Sequence, residues 1–431
     1  MKIKEFTADA LDALLKAGAD KAHTALSNTE KVEMNIEAGE LNLIRTTLDT
    51  HLHLVSIKDQ RKGNLLLNEV NQDSMNKAVN DVLEITKGSA PDPAHDIAEK
   101  QVPKAFIKGE QQPDMDKMHL RLKTFATMVK ELFPQTILQQ AHLDFTRYDT
   151  AFMNSNGVDF TVSKGLYNFS AIFTSKDGED LSSMNYSGFS TLDLNKELLE
   201  YGSLRALLKQ SGNEIKTNEI NSKFVGEVII TPDCLSDFLD YLLRISLYDT
   251  PLISGSSVFK NKLNQLVVST KFTLHSRPVS SEIADGYFIT GDGYEAQNCT
   301  IFEQGVLKTF LLSLYGANKT GLQRAVNRGG SYIVEPGDKS LPSIIKGIKR
   351  GILLSRFSGG NPSQNGDFSG VAKNSYYIEN GVVKYPLSET MISGNLVELF
   401  RNITEISRER VDFGFALLPW IASTGVTISG K

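Results

Sequence analysis

His51 and His53 stand two residues apart in the alternating stretch HLHLVSI, a spacing that puts both imidazoles on one face of a strand. Such a pair can begin a metal site or simply pack, and no third ligand declares itself nearby. Cys234 follows Pro232-Asp233 at a helix start, where a thiolate would be favoured. The apolar stripe that follows it suits a buried structural thiol instead. Cys299 lies among strand residues and reads as core. His275 is the only histidine after His142, and no nucleophile elbow accompanies it, so Ser–His–Asp catalysis is not supported. Asp285, Asp292 and Glu295, in and just before GDGYEAQ, could attract a cation or remain a solvated loop. The Gly-rich run SGGNPSQNGDFSG, residues 358–370, is the strongest candidate loop. Gly359, Gly360 and Gly366 permit close backbone approach, Asn361 and Ser369 supply polar groups, and Asp367 supplies one acid. It could cradle a peptide, a phosphate or a partner chain, or be a long turn around a sheet. Without the Lys-Ser/Thr ending of a P-loop, nucleotide binding is not expected.

Hydrophobic periodicity indicates which elements hold these residues. Apolar positions from Phe6 to Leu26 recur at helical spacing and predict a helix over 6–27. From about 31 to 70 the period becomes two, with turns at Ala38-Gly39 and Arg61–Asn64, and 72–86 returns to helix. Pro91, Pro93, Pro103 and Pro113 mark 91–113 as a linker. A helix over 114–133, strands over 136–187 turning at Asn156-Gly157, and a helix over 193–211 repeat the first unit's order. This suggests a distant duplication. GEVIITPD reads as a strand entering a helix at Pro232, continuing over 233–248. After about 265 strands and turns dominate, interrupted by helices near 340–348 and 394–406. Glu37-Ala38-Gly39, Glu303-Gln304-Gly305 and Glu379-Asn380-Gly381 each read as a tight turn between strands. The expected fold class is α+β. Two helix/antiparallel-strand units, 1–90 and 114–222, precede a large, mostly antiparallel β domain, 223–431, whose sheet could close as a barrel.

Composition narrows the function classes. The 431 residues are 40% hydrophobic and 23% charged, an ordinary globular balance for two or three domains. A net charge of −5 provides no electrostatic footprint for nucleic acid. The amphipathic N-terminal segment does not read as a signal peptide, and no apolar run is long enough for a membrane span. Two cysteines make no disulfide framework, so a reducing, cytoplasmic setting is expected.

Several segments, in their order and spacing, resemble the TldD/PmbA (TldE) family, the so-called modulators of DNA gyrase. They are GEVIITPDCLSDFLDYLL, EPGDKSLPSIIKGIKRGILL, GDFSG at 366–370, and YIENGVVKYPLSETMISGNLVELFRNI. The resemblance spans roughly residues 30–430. It implies a pair of related subunits, one a zinc metalloprotease and the other lacking the metal ligands, that together cleave unfolded or leader peptides. In the protease subunit the helix after the GEVIITPD-like strand carries HExxxH. Its histidines bind zinc, its glutamate activates water, and a C-terminal Cys completes the protein ligands.

Aligned on SVFKNKLNQLVVS, the corresponding positions here are Asp240, Tyr241 and Ile245. No histidine occurs between 143 and 274, and VDFGFALLPWIASTGVTISG contains no cysteine, so a shifted register restores nothing. The resemblance therefore places the chain in the PmbA/TldE-like branch. There it would be a non-catalytic subunit without a cofactor of its own, zinc being expected only in a TldD-like partner. Unfolded or leader peptides would be the substrate of the complex, proteolysis or peptide maturation its role. Two other readings stand beside it: an autonomous homodimeric binding or regulatory protein, and a peptidase built on another metal site around His51 and His53.

Overall fold

The computed structural model describes residues 2–37, 39–388 and 390–430. The N-terminal half begins with α1 (Ile3–Lys16), followed by the strands β1 (Lys21–Glu37), β2 (Glu40–Lys58) and β3 (Arg61–Leu67) and by α2 (Gln72–Gly88). After β4 (Lys104–Lys108) come α3 (Met115–Leu132), β5 (Thr136–Asn154), β6 (Asp159–Asp177), the two-residue β7 (Asp180–Leu181), β8 (Asn185–Thr191) and α4 (Leu204–Asn213). The helix expected over 6–27 therefore stops early. Gly18 takes φ +100° just past its end, and Ala22, Thr24 and Leu26 are buried alternately, which is strand period rather than helical. The helix expected over 193–211 likewise begins only at Leu204, after a short 3₁₀ turn at Leu198–Glu200.

The strands of both N-terminal units form one sheet in the order β3-β2-β1-β5-β6-β4, with β8 also on β6. Its centre is the long antiparallel β1–β5 pair, running from His23 opposite Asn154 to Glu37 opposite Gln140. Helix, long hairpin, third strand and helix occur on each side of that pair, so the two units are related across it as the repeated element order suggested. The hairpin turn at Asn156-Gly157 forms as expected, Gly157 having φ +94°.

The C-terminal half contributes β9 (Lys223–Ile230), α5 (Pro232–Ser246), α6 (Asp249–Ser254), β10 (Leu274–Ser276), β11 (Cys299–Glu303) and β12 (Val306–Leu307). Then follow α7 (Leu314–Thr320), β13 (Tyr332–Val334), α8 (Leu341–Gly347), β14 (Arg350–Leu354), β15 (Arg356–Gly359) and β16 (Asp367–Lys373). The chain ends with β17 (Tyr376–Glu379), β18 (Val382–Pro386), β19 (Thr390–Asn395), α9 (Leu396–Arg401), β20 (Ile403–Asp412) and β21 (Leu417–Ser429). The helix expected over 394–406 is thus cut to α9, because Ile403 and Ile406 pair with β21. Much of 277–298, expected as strand, runs as loop.

These strands make a branched, curled sheet, antiparallel apart from the β9–β14 and β13–β21 pairs. Its path from β12 to β18 stays open among the described residues, so the sheet does not close as a barrel. β21 is the hub, pairing with β9, β13, β19 and β20. Two of the predicted tight turns take left-handed backbone at both central residues: Gln304 and Gly305 at φ 45° and 79°, Asn380 and Gly381 at 50° and 75°. Of the third, Ala38 lies outside the described residues and Gly39 has φ +86°.

Helix α5 lies on this sheet because its sequence leaves no alternative. Pro232 fixes the entry, Thr231 O receives Cys234 N and Leu235 N, and Asp233 and Arg244 suit the two ends of the helix dipole. Leu235, Phe238, Leu239, Leu242 and Leu243 form one stripe, each at most 1% exposed.

The proline-marked stretch 91–113 is an ordered strap between the two sheets. Gln101 Nε2 donates to Gly293 O, Asn318 Nδ2 donates to Ala94 O, Tyr315 donates to Asp92, and Phe106 stacks on Phe288 at 4.9 Å. A second seam lies where Ser190 N donates to Phe413 O and Asp285 N to Gly414 O. Gly414 has φ +76°, and a Cβ there would stand 1.7 Å from Ser190 O. Gly414→Ala is therefore expected to destabilise the fold by at least about 2 kcal/mol, read as a lowered midpoint in denaturant unfolding.

Candidate functional site

The face of α5 turned away from the sheet carries the positions that correspond to the metal motif. Asp237, Asp240 and Arg244 are exposed on it, whereas Tyr241 and Ile245 are half-buried against the hydrophobic core. Burial by the surrounding protein raises the Asp240 carboxyl pKa above its usual range, opposed by Arg244. Burial, then repulsion from Asp240, does the same to Asp237, opposed by Arg356. This donor set does not fit zinc. Ile245 is hydrocarbon, Tyr241 offers a phenol held in the core rim, and one carboxylate cannot supply a tetrahedral site. Among the described residues, no three His, Cys, Asp or Glu side chains converge as metal donors.

The Gly-rich loop meets this helix. It is the hairpin between β15 and β16, with Gly359 opposite Gly370. Those two glycines make room for the Phe357 ring, since a Cβ on either would lie 2.6 Å from it. Phe357 in turn packs on Phe238 of α5 at 5.4 Å. Gly360 and Asn361 lie at the exposed tip, and Ser369 points outward from β16. Asp367 is engaged internally, accepting from Asn365 Nδ2 and Asn395 Nδ2, each at 2.9 Å. Gly366 has φ +93°, and a Cβ there would stand 3.5 Å from Ile245 Cδ1. The loop and the motif positions therefore share one rim.

The other candidates are accounted for singly. His51 and His53 share a face of β2, but the imidazole next to His53 belongs to His23, 5.6 Å away between ring centres on β1, and no carboxylate or thiolate joins them. Asp285, Asp292 and Glu295 form no common cation site, because each already has its own basic partner. Lys164 lies 2.7 Å from Asp285, Arg324 lies 3.6 Å from Asp292, and Lys104 pairs with Glu295. Cys234 is 1% exposed, and burial pushes its thiol well up, out of thiolate range. Cys299 is half-buried, its sulfur accepting from Asn327 Nδ2 at 3.3 Å. His275 bridges Thr300 and Glu335, at 2.9 Å to each.

What the residue types alone missed is a cleft of about 400 Å³ between the two sheets. His23 and Lys62 line it from the N-terminal sheet; Tyr248, Asp292, Arg324 and Arg328 line it from the C-terminal half. These residues are scattered along the chain and only the docking of the sheets assembles them. Period-two alternation around His23 was the one available signal, masked by the helical pattern just before it.

An α+β chain with a branched sheet, a buried strand-to-helix unit and a loop closing over that helix is the class defined here. Residues 224–430 match the PmbA/TldA metallopeptidase C-terminal domain. The chain is 23% identical to a metalloprotease PmbA homolog of Haemophilus influenzae, covering 98% of this chain and 96% of that one. It is 22% identical to metalloprotease PmbA of Escherichia coli O157:H7, with 98% and 96% covered. Among solved structures, TldE from Thermococcus kodakarensis superposes with a TM-score of 0.82 at 19% identity, over 99% of this chain and 100% of that one. A proposed modulator of DNA gyrase from Bacteroides thetaiotaomicron gives 0.86 at 22% identity, over 99% of each. Over residues 224–430 the chain is a C-terminal domain of the PmbA/TldA metallopeptidase type, and along nearly its whole length it is similar to PmbA proteins. Among the described residues, no helix is long and apolar enough to cross a membrane.

His23 gives the cleft a pH signature. It is 6% exposed, and burial, with repulsion from His53 and Lys62, lowers its pKa from 6.5 to about 3. The unfolded chain takes a proton below pH 6.5 that the folded chain refuses until about pH 3. His23 therefore adds an acid-sensitive term: stability is retained above pH 6.5 and lost at about 1.4 kcal/mol per pH unit between the two values. Urea unfolding from pH 7 to 4.5 is expected to show a shallower loss for His23→Gln than for the parent chain. Equal slopes would contradict the burial argument.

Proposed function

We propose that this chain is the non-catalytic, PmbA/TldE-type subunit of a cytoplasmic zinc metallopeptidase complex. It pairs with a TldD-like relative and helps admit unfolded or leader peptides. The observation that carries this reading is the outer face of α5. The family domain matches over 224–430, yet the three motif positions hold Asp240, Tyr241 and Ile245, and no histidine lies between His142 and His275. A helix that keeps its buried stripe while its outer face has no zinc ligands preserves architecture without the chemistry. The loop at 359–370 borders that face, and its exposed tip residues Gly360 and Asn361 would contact a peptide or the partner chain. Extended substrates would be held through backbone pairing with strand edges, which needs no particular sequence.

The test is metal content and cleavage of an unfolded peptide, measured for this chain alone and mixed with its HExxxH-bearing relative. The expected result is no stoichiometric zinc and no cleavage alone, and stable association with chelator-sensitive cleavage in the mixture. Chelator-sensitive cleavage by this chain alone would overturn the reading. Self-association with no affinity for the relative would favour the autonomous homodimeric binding protein suggested by the gyrase-modulator description of a similar structure.

A further inference from the structure

The cleft between the sheets has an uneven distribution of partners. Its acids are satisfied. Asp96 lies 2.6 Å from Lys21. Asp249 accepts from Ser313 N at 2.9 Å and from the Ser313 hydroxyl. Asp292 accepts from Leu314 N at 2.8 Å and from Thr290 Oγ1, beside Arg324. The cationic side is not satisfied. Among the described residues, the Lys62 ammonium has neither an ion pair nor a hydrogen bond, although the side chain is half-buried. Arg328 rests its guanidinium 4.5 Å from the centre of the Tyr287 ring and has no carboxylate partner. His23, 6% exposed, has no hydrogen-bond partner for Nε2.

Leu311, Leu312, Leu314 and Tyr248 supply the apolar part of the remaining lining, beside Thr290 and Asn327. A space of about 400 Å³ is far larger than a phosphate needs and lies in the range of small-molecule sites. No glycine-rich nest of backbone N–H groups is presented to it. Two cations without an acidic partner among the described residues, Lys62 on the N-terminal wall and Arg328 on the C-terminal wall beside the leucines, match a ligand with one anionic end and an apolar body.

We propose that this cleft binds a carboxylate-terminated ligand with an apolar body, the carboxylate meeting Lys62 and Arg328. Two sources share that chemistry, the C-terminal residue of a peptide and a free branched-chain acid. Burial lowers the Lys62 pKa, with Asp292 opposing the shift, and an arriving carboxylate would restore it. The proposal needs neither a metal-bearing partner nor peptidase activity, so it stands or falls separately from the subunit reading.

The test is calorimetric titration of the full chain, alone, with N-acetyl-leucylleucine, the same dipeptide as its C-terminal amide, 4-methylpentanoate and inorganic phosphate. The expected result is that the dipeptide acid binds at least about tenfold more tightly than the amide, as loss of a charge-assisted contact predicts. Lys62→Met and Arg328→Met should each weaken the acid about fivefold or more while circular dichroism stays unchanged. Arg328 is exposed, so its variant tests the idea even if Lys62→Met misfolds. A dipeptide acid tighter than 4-methylpentanoate assigns the peptide terminus; equal affinities assign the free acid. Equal binding of acid and amide, phosphate binding as tightly as the acid, no binding at about 10 mM, or parent affinity in a folded Arg328→Met variant would each overturn it.

Discussion

Burial of one stripe on α5 governs the C-terminal half. Leu235, Phe238, Leu239, Leu242 and Leu243 are withdrawn from water against the sheet built on β9 and β21. At roughly 1.5–3 kcal/mol for each buried side chain, that stripe outweighs anything the helix's outer face contributes. The rotation of α5 about its axis is therefore set by hydrocarbon, and with it the outward direction of Asp237, Asp240 and Arg244. Those outer positions are free to change without disturbing the fold.

The same constraint reaches the loop and the cleft. Phe238 is part of the stripe, and Phe357 packs on it, which draws β15 and the glycine-rich hairpin over the helix. At its C-terminal end α5 delivers Tyr248, whose hydroxyl lies 3.3 Å from that of Tyr332, and the chain turns into Asp249 beside Ser313. The inter-sheet cleft begins there. One helix thus fixes both the rim that carries the former motif positions and one wall of the cleft. The proline-bearing strap fixes the other relation, between the two sheets, through contacts with 293, 315 and 318.

Elements dictated by local chemistry were legible in the sequence. Pro232 before an apolar stripe, Asn156-Gly157 between alternating runs, and Asn380-Gly381 each act within a few residues, and each forms where its chemistry requires. Two of the errors share one cause, competition from non-local pairing. Residues 21–27 fit a helical stripe through Ala22 and Leu26, yet β1 pairs with both β2 and β5 along its length, and two ladders outweigh a spacing coincidence. Residues 403–406 were lost from the last helix in the same way, to β21. That no histidine lies between His142 and His275 could be read directly, because absence of a residue type needs no geometry. The cleft could not, because its lining comes from segments about three hundred residues apart, and nothing local to Lys62 announces Arg328.

Charge placement links the two regions of interest. On the outer face of α5, Asp237 and Asp240 repel each other in surroundings that already disfavour their ionised forms. In the cleft every acid has a donor, while Lys62 and Arg328 have no acidic partner among the described residues. Natural cores seldom leave such imbalance, because a buried unpaired group costs more than a paired one contributes. Structural need does not explain it here: Lys62 is placed by β3, Arg328 by the turn before β13, and neither side chain's charge holds those segments together. A group that packing does not require, held half-buried and unpaired against its own electrostatic cost, is better accounted for by something that arrives than by anything already in the fold.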